Sequence, residues 1–187
     1  MTLCIEHGFV YYRAWAMIIQ GWCLRRRTHL AEGVTQIQAG LTALRATGGG
    51  VRLSYYLALL AEAYGEDRQP AGGLHVLTEA FTHQATTHER WMEAELSRLK
   101  GELLLQQSAE QQGEAEVSLQ QALDVARCQQ AKSLELRAAM SLARLWQRQG
   151  KRAEAHALLA PIYGWFTEGF DTADLQEARA LLADLQR

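Results

Sequence analysis

The residues that most often carry chemistry are spread along this chain of 187 residues without a recognisable pattern. The six histidines show no ligand spacing, and three cysteines are too few for a disulfide framework or a zinc cluster. The glycine run Gly48-Gly49-Gly50 is followed by Val51 and Arg52, so it indicates a turn and not a phosphate-binding loop. We therefore expect no catalytic site, no metal site and no cofactor, and we predict that the protein is not an enzyme.

Three arginines near the end of the chain suggest binding chemistry instead. Arg137, Arg144 and Arg148 recur at about two turns and one turn of a helix, so they share one face. A row of guanidinium groups suits the carboxylates of a peptide or of an acidic partner helix. The competing interpretation is a solvated face, in which the arginines pair with Glu95 and Glu102 of a neighbouring unit.

Internal repeats indicate which elements position these side chains. Small residues recur in two series at intervals of 40 or 42 residues, and a large apolar residue follows the second series four places later. The small residues are Gly21, Ala61, Gly101 and Ala143, then Gly33, Gly73, Ala115 and Ala155, and the large ones are Ile37, Leu77, Leu119 and Leu159. Because two antiparallel helices approach closely where their side chains are small, each repeat predicts a helical pair.

The composition also favours an all-helical chain. Ala and Leu fill 57 positions, Val and Ile fill 11, and Pro occurs twice, which disfavours β-sheets and permits long helices. We predict first helices near 9–26, 53–66, 89–106 and 133–149, second helices near 31–46, 70–84, 113–128 and 151–164, and a closing helix over 172–186. The predicted fold is a right-handed tetratricopeptide-like (TPR-like) α-solenoid that forms a single repeat domain over 1–187, with units at 9–50, 51–88, 89–130 and 131–170.

The repeat period exceeds the ~34 residues of a standard tetratricopeptide repeat. We expect the extra residues around 46–52, 83–90 and 129–132, either as long linkers or as longer helices. The Gln-rich stretch 106–113 predicts a mobile polar loop in the third unit. Gly150 predicts a helix end with positive φ in the fourth unit, whereas Arg68 holds the corresponding place in the second.

In such a solenoid the first helix of each pair lines a concave groove, which we predict binds a peptide or a helix. The register of the small residues selects the side chains that would face this groove. They are Trp15, Ile18, Trp22, Arg25 and Arg26 in the first unit, Tyr55, Ala58 and Glu62 in the second, Glu95, Arg98 and Glu102 in the third, and Arg137, Met140, Arg144, Gln147 and Arg148 in the fourth.

The first long helix is apolar nearly all round, and the preceding Met1–Gly8 is too short for a helical unit. A helix of this kind requires cover on more than one side. We therefore expect either that the chain begins inside a longer array or that a second copy covers this end in a homodimer. The exposed patch of a monomer would contain Val10, Tyr11, Ile18 and parts of Trp15, Ile19 and Trp22, while the basic Arg25–Arg27 would oppose close approach.

Charge and hydropathy exclude two classes of partner. The net charge of −2 does not give the excess of basic charge that is typical of nucleic-acid-binding proteins. No apolar run reaches the ~18 residues that span a bilayer. We accordingly expect no nucleic-acid partner and no membrane association. Three scattered cysteines are typical of reduced thiols, which predicts a cytoplasmic protein.

Three stretches of the chain resemble one bacterial protein family: Arg90–Leu105 (RWMEAELSRLKGELLL), Leu136–Trp146 (LRAAMSLARLW) and Leu158–Thr172 (LLAPIYGWFTEGFDT). The family is the C-terminal tetratricopeptide region of large multidomain signalling proteins, whose upstream parts are typically a class III adenylate/guanylate cyclase domain and an AAA ATPase of the STAND type. The resemblance covers essentially the whole chain. Because the catalytic and nucleotide-binding parts are absent here, it implies neither cyclase nor ATPase activity for this chain.

The sequence therefore predicts a non-enzymatic protein–protein interaction scaffold or sensor module whose partner is a protein or peptide. The alternative, which the resemblance implies, is a regulatory C-terminal fragment that controls a linked nucleotide cyclase or ATPase.

Overall fold

The computed structural model describes residues 2–25 and 29–187, and it forms two compact units, Met1–Glu89 and Arg90–Arg187. The helices of the first unit are α1 (Thr2–Glu6), α2 (Val10–Arg25), α3 (Leu30–Ala46), α4 (Leu53–Glu66) and α5 (Pro70–Thr87). Those of the second unit are α6 (Glu93–Gln107), α7 (Gln112–Cys128), α8 (Lys132–Arg148), α9 (Arg152–Tyr163) and α10 (Ala173–Leu185). The described residues contain no β-strand, which confirms the all-α prediction.

Neighbouring helices pack as pairs within each unit. In the first unit α2 packs with α3 and α4 packs with α5, and both α2 and α3 also contact α4. In the second unit α6 packs with α7 and α8 packs with α9, and α6 and α7 contact α8. The closing helix α10 lies on α8 and α9, where it buries Leu175, Ala178, Leu181 and Leu185.

All eight predicted small residues are buried, and Gly21, Gly33 and Gly101 lie where paired helices approach closely. A Cβ atom added to Gly21 would lie 2.8 Å from the Gly33 carbonyl oxygen and 2.8 Å from the Ile37 nitrogen. A Cβ added to Gly101 would lie 2.6 Å from Leu119 Cγ, one of the four large residues of the repeat. Ile37, Leu77, Leu119 and Leu159 are all buried, as the two-helix template requires.

The first pair has a further close approach that the repeat pattern does not include. A Cβ on Gly40 of α3 would lie 2.6 Å from Ile18 Cγ1 and 3.1 Å from the Ala14 carbonyl oxygen. Ile18 is therefore fully buried against α3, so the prediction that it is exposed or faces a groove is wrong. The equivalents of Gly40 in the other pairs are Ala80, Ala122 and Ile162, so the small residue is replaced by a large one in the fourth pair, and this series is not part of the predicted pattern.

Several helix boundaries differ from the predictions. Helix α5 continues to Thr87, so much of 83–90 is helical, which is the longer-helix alternative for the extra residues of the repeat. Helix α6 begins at Glu93, four residues after its predicted start near 89. Helix α6 extends to Gln107, and a 3₁₀ turn at Ala109–Gln111 leads directly into α7, which replaces the loop expected over 106–113. At the beginning of the chain, Thr2–Glu6 forms the short helix α1, although none of its residues is buried.

Three of the described helices end in the same hydrogen-bonded turn with a residue of positive φ. Gly150 has φ +80°, and the following Lys151 N–H donates to the Trp146 carbonyl at 2.9 Å. Arg68 has φ +56°, and the following Gln69 N–H donates to the Tyr64 carbonyl at the same distance, 2.9 Å. Gln130 ends α7 in this way as well, with φ +55°. The turn is the αL helix termination that glycine favours, so Arg68 and Gln130 carry a conformational strain that Gly150 avoids.

We expect Arg68→Gly to raise the free energy of unfolding by about 0.5–1 kcal/mol, because glycine adopts positive φ without steric cost. Gly150→Ala is the matched control and should lower it by a similar amount. Urea unfolding followed by circular dichroism measures both changes. A loss of stability in Arg68→Gly would show that the arginine side chain contributes more than the strained backbone costs.

Candidate interaction site

The predicted groove residues lie in very different environments. Trp15 and Arg148 are exposed, and Trp22, Tyr55, Glu62, Glu102, Arg137 and Arg144 are partly buried. Arg25 and Arg98 are buried, as are Ala58, Glu95 and Met140, so the structure does not place these five on an accessible surface. Gln147 is partly buried, and Arg26 lies outside the described residues.

In the first unit, a buried arginine joins α2 to α4. Arg25 ends α2, and its side chain is fully enclosed. Its Nη2 donates to Glu62 Oε2 at 3.0 Å, and its Nη1 lies 3.1 Å from Glu66 Oε1. The guanidinium carbon also lies 5.6 Å from the centroid of the Trp22 ring. Because two carboxylates and an aromatic ring enclose this cation, Arg25 fixes α2 on α4 and is not free to hold a ligand.

In the second unit, a larger charged network joins α6 to α8. Arg98 donates to Glu95 through Nε at 2.9 Å and Nη2 at 2.7 Å, and its Nη1 lies 2.7 Å from Glu102. From α8, Arg137 Nη1 lies 3.0 Å from Glu95 Oε1. The Ser141 hydroxyl donates to Glu102 at 2.6 Å. We call these five residues the α6–α8 network.

The charges of the α6–α8 network stabilise one another. Burial raises the pKa of the Glu95 carboxyl, but the guanidinium groups of Arg98 and Arg137 more than offset burial and hold that pKa below its usual value. Burial lowers the pKa of Arg98, but Glu102 and Glu95 outweigh it, and the net shift is upward. Glu95 and Arg98 therefore stay ionised at neutral pH inside the fold.

The row of three arginines is divided by this network. Arg137 pairs with Glu95. This is the contact expected if the face is solvated and its arginines pair with Glu95 and Glu102. Arg144 pairs with Glu177 of α10 at 2.8 Å, and both side chains are solvent-accessible. Arg148 is exposed, and its Nε donates to the Arg144 carbonyl at 3.3 Å. Within the row, Arg144 and Arg148 are therefore the members that line an accessible surface.

That surface is an open cleft of about 590 Å³ between α8 and α10. Helix α8 contributes Arg144, Gln147 and Arg148 to its lining. Helix α10 contributes Glu177, Ala180, Leu181 and Asp184. The α8–α10 cleft thus has a cationic wall, an acidic wall and a small apolar floor.

A second open depression, of about 560 Å³, lies on the outer face of α2. It is lined by Trp15, Ala16, Ile19, Gln20 and Cys23, and we call these residues the α2 face. Tyr12 extends the face, with its ring centroid 6.4 Å from that of Trp15. Apart from Trp15 and Ile19, these residues were missed from sequence, although their spacing of three and four residues marks one helical face.

Glu116 holds another polar cluster that the sequence did not indicate. It accepts hydrogen bonds from Trp146 Nε1 at 2.7 Å and Gln149 Nε2 at 3.4 Å, and Lys151 lies 3.9 Å away. The Trp146 hydrogen bond is the main reason that the pKa of Glu116 is lowered. The cluster attaches α7 to the end of α8, so we interpret it as structural. Nothing in the spacing of these residues pointed to this contact.

Two kinds of feature, a metal-binding cluster and a membrane-spanning helix, are not found among the described residues. These residues contain no group of three or more His, Cys, Asp or Glu side chains suited to a metal ion. None of the described helices has both the length and the apolar character that crossing a membrane requires.

The fold defines an all-α protein whose described helices pack in neighbouring pairs. Comparison of the sequence with protein-family models gives no match, and comparison with curated proteins gives none either.

Proposed function

We propose that this chain is a non-enzymatic protein-interaction module of the TPR-like α-solenoid type, and that the α8–α10 cleft binds an acidic peptide or helix of a partner protein. The observation that carries the proposal is the pair Arg144 and Arg148 beside the apolar floor of the cleft. Helical repeat proteins commonly present such side chains on a rigid surface for peptide recognition.

Both carboxylates of the cleft already have a basic partner, because Glu177 pairs with Arg144 at 2.8 Å and Asp184 pairs with Arg187 at 3.2 Å. The charge that remains for a ligand is that of Arg148, which favours an acidic ligand over a basic one. Arg148 uses Nε for its backbone hydrogen bond, which leaves the Nη groups of a planar guanidinium for a carboxylate. Glu177 already neutralises Arg144 in part, so a carboxylate that approaches Arg144 would share that guanidinium. Ala180 and Leu181 offer a small apolar contact between the charged walls, which suits an amphipathic segment.

The proposal predicts that Arg144→Glu/Arg148→Glu weakens binding of a labelled acidic amphipathic helical peptide by about tenfold or more, because attraction becomes repulsion. Fluorescence anisotropy measures the affinity. Helicity should not change, since both positions are solvent-accessible. Arg137 is left intact because its pairing with Glu95 is part of the α6–α8 network.

The matched control is Arg179→Glu, an exposed reversal on α10 outside the residues that line the cleft. It should leave the affinity within about twofold of the unmodified chain, because exposed charges interact weakly through solvent. Equal losses in the control and the double variant would indicate non-specific attraction, and the cleft would then not be the binding site.

The alternative proposal is that the partner is a linked nucleotide cyclase or ATPase, which this chain regulates from the C-terminal side in the cytoplasm. The resemblance of the stretches Arg90–Leu105 and Leu158–Thr172 supports it. The three cysteines are free, as a reducing compartment favours. An adjoining reading frame for a cyclase or nucleotide-binding domain, together with a change in its turnover when this chain is added, would favour this alternative over a free-standing scaffold.

A further inference from the structure

The α2 face differs from the buried side of the same helix in carrying no charge. Helix α2 directs Ala14, Ile18, Gly21 and Arg25 into the first unit. The opposite side presents Trp15, Ala16, Ile19, Gln20 and Cys23, and none of these is an aspartate, glutamate, lysine or arginine. Trp15 is 39% exposed and Tyr12 is 55% exposed, so a continuous aromatic and aliphatic surface faces outward.

The repeat shows how the same face is used in the second helical pair. The small residue Gly21 of α2 corresponds to Ala61 of α4, a shift of 40 positions. The same shift carries the five residues of the α2 face to Tyr55, Tyr56, Leu59, Leu60 and Ala63. Tyr55 is partly buried and the other four are buried, in a helix on which both α2 and α3 pack. The α4 equivalent of the α2 face is therefore covered by helices.

Helix α6 shows the chemistry of a covering helix, because it packs on the α8 equivalent of the α2 face. Arg137 and Ser141 of α8 correspond to Trp15 and Ile19 of α2, and they contact Glu95 and Glu102 of α6. Trp15 and Ile19 themselves supply neither the cation of Arg137 nor the hydroxyl of Ser141, and a buried, unpaired carboxylate is strongly unfavourable. The helix that covers α2 must therefore present an uncharged apolar face, and α2 itself carries such a face.

We propose that the α2 face is a self-association interface, at which α2 of a second copy of this chain packs antiparallel about a two-fold axis near Ile19. Trp15 and Cys23 each lie four residues from Ile19, so this axis places the large Trp15 of each copy against the small Cys23 of the other. Large side chains then meet small ones, which lets two helices interdigitate. The interface is separate from the α8–α10 cleft and does not depend on the proposed function.

Electrostatics permit this arrangement. Arg25, at the end of α2, is already neutralised within its own copy by Glu62 and Glu66. In an antiparallel pair centred on Ile19, the two Arg25 residues lie at opposite ends, about 18 Å apart along the helix axes at 1.5 Å per residue. The same axis places the exposed Arg13 of each copy opposite Arg25 of the other, whose charge Glu62 and Glu66 already neutralise, and no charge of the α2 face is buried.

Sedimentation velocity of the purified chain over a wide concentration range tests the proposal. The unmodified chain should form a dimer and no larger species, because a two-fold interface closes on itself. Ile19→Glu should weaken the dimer by about a hundredfold or more, because two unpaired carboxylates meet at the axis. Cys23→Arg, at an exposed position, should weaken it comparably.

The matched control is Val117→Glu, which replaces an exposed apolar residue of α7 in the other unit and should leave the dimer unchanged. Circular dichroism of each variant at equal concentration shows whether the fold is retained. A chain that stays monomeric throughout, an open series of oligomers, or a dimer that survives both Ile19→Glu and Cys23→Arg would overturn the proposal.

Discussion

Gly21→Ala is expected to lower the free energy of unfolding by about 1–3 kcal/mol, although alanine is the better helix former. The reason is steric, because the added Cβ would lie 2.8 Å from backbone atoms of Gly33 and Ile37 and 2.9 Å from Ile37 Cγ1. Two of these neighbours are backbone atoms that move only if α2 and α3 separate. Urea unfolding gives the change in stability, and hydrogen exchange shows whether the loss is localised to the α2–α3 pair.

Gly113→Ala provides a control of opposite sign. Gly113 is an exposed residue of α7, and an added Cβ would meet nothing within 4 Å. Without a clash, the helix propensity of alanine should raise stability by about 0.5–1 kcal/mol. If both variants were stabilised, the close approach of α2 and α3 at Gly21 would be incorrect, and with it the two-helix template of the repeat.

Arg98→Met should be the most destabilising change, with a loss of about 3–5 kcal/mol, because it leaves the buried Glu95 with Arg137 as its remaining ion-pair partner. Arg45→Met is the matched control. Arg45 Nη2 donates to both carboxylate oxygens of Glu79, at 2.6 and 2.9 Å, but both side chains are nearly half exposed. Solvent screens that pair, so its loss should cost less than about 1 kcal/mol.

A second substitution separates the loss of attraction from the burial of an unpaired charge. In Glu95→Leu/Arg98→Met, neither buried charge of that pair remains, so part of the stability lost in Arg98→Met should return. An additive loss in the double variant would mean that Arg98 acts through packing of its aliphatic stem and not through Glu95.

The network also gives a pH dependence of definite sign. The pKa of Glu95 is lower in the folded chain than in the unfolded chain, so its contribution to stability is present above the unfolded pKa, roughly 4.3, and is lost as the pH falls through the lowered folded value. In Arg98→Met, Arg137 alone opposes the effect of burial, so the folded pKa of Glu95 should be higher than in the unmodified chain. The loss of stability should therefore begin at a higher pH. Unfolding curves from neutral to acidic pH in both proteins test this shift.

Much of the local structure could be predicted from the sequence because it depends on neighbouring residues. The repeated small residues identified buried positions, among them the close approaches at Gly21, Gly33 and Gly101, and Gly150 identified a helix end with positive φ. Arg68 was recognised as the residue in the equivalent position, but its φ of +56° became evident only in the structure. The type of side chain does not reveal a strained backbone, because the surrounding helices determine the backbone conformation.

The candidate site could be predicted less well, and the arginines show why. Helical spacing placed Arg25, Arg98 and Arg144 on one side of their helices, which is a local property of the chain. Whether each is enclosed or solvated depends on another helix and on the carboxylates it supplies, such as Glu62 for Arg25 and Glu177 for Arg144. Spacing along one helix contains no information about those partners.

The sequence by itself determined that the chain is helical, where the pairs form and which small residues join them, because helix periodicity and side-chain volume act over a few turns. Only the tertiary structure decided which charges are structural and which are accessible. It enclosed Arg25 and Arg98, left Arg148 in the α8–α10 cleft, and buried Ile18 while exposing Trp15. The physical reason is that burial and ion pairing depend on distances between residues far apart in the chain, and packing of the helices sets those distances.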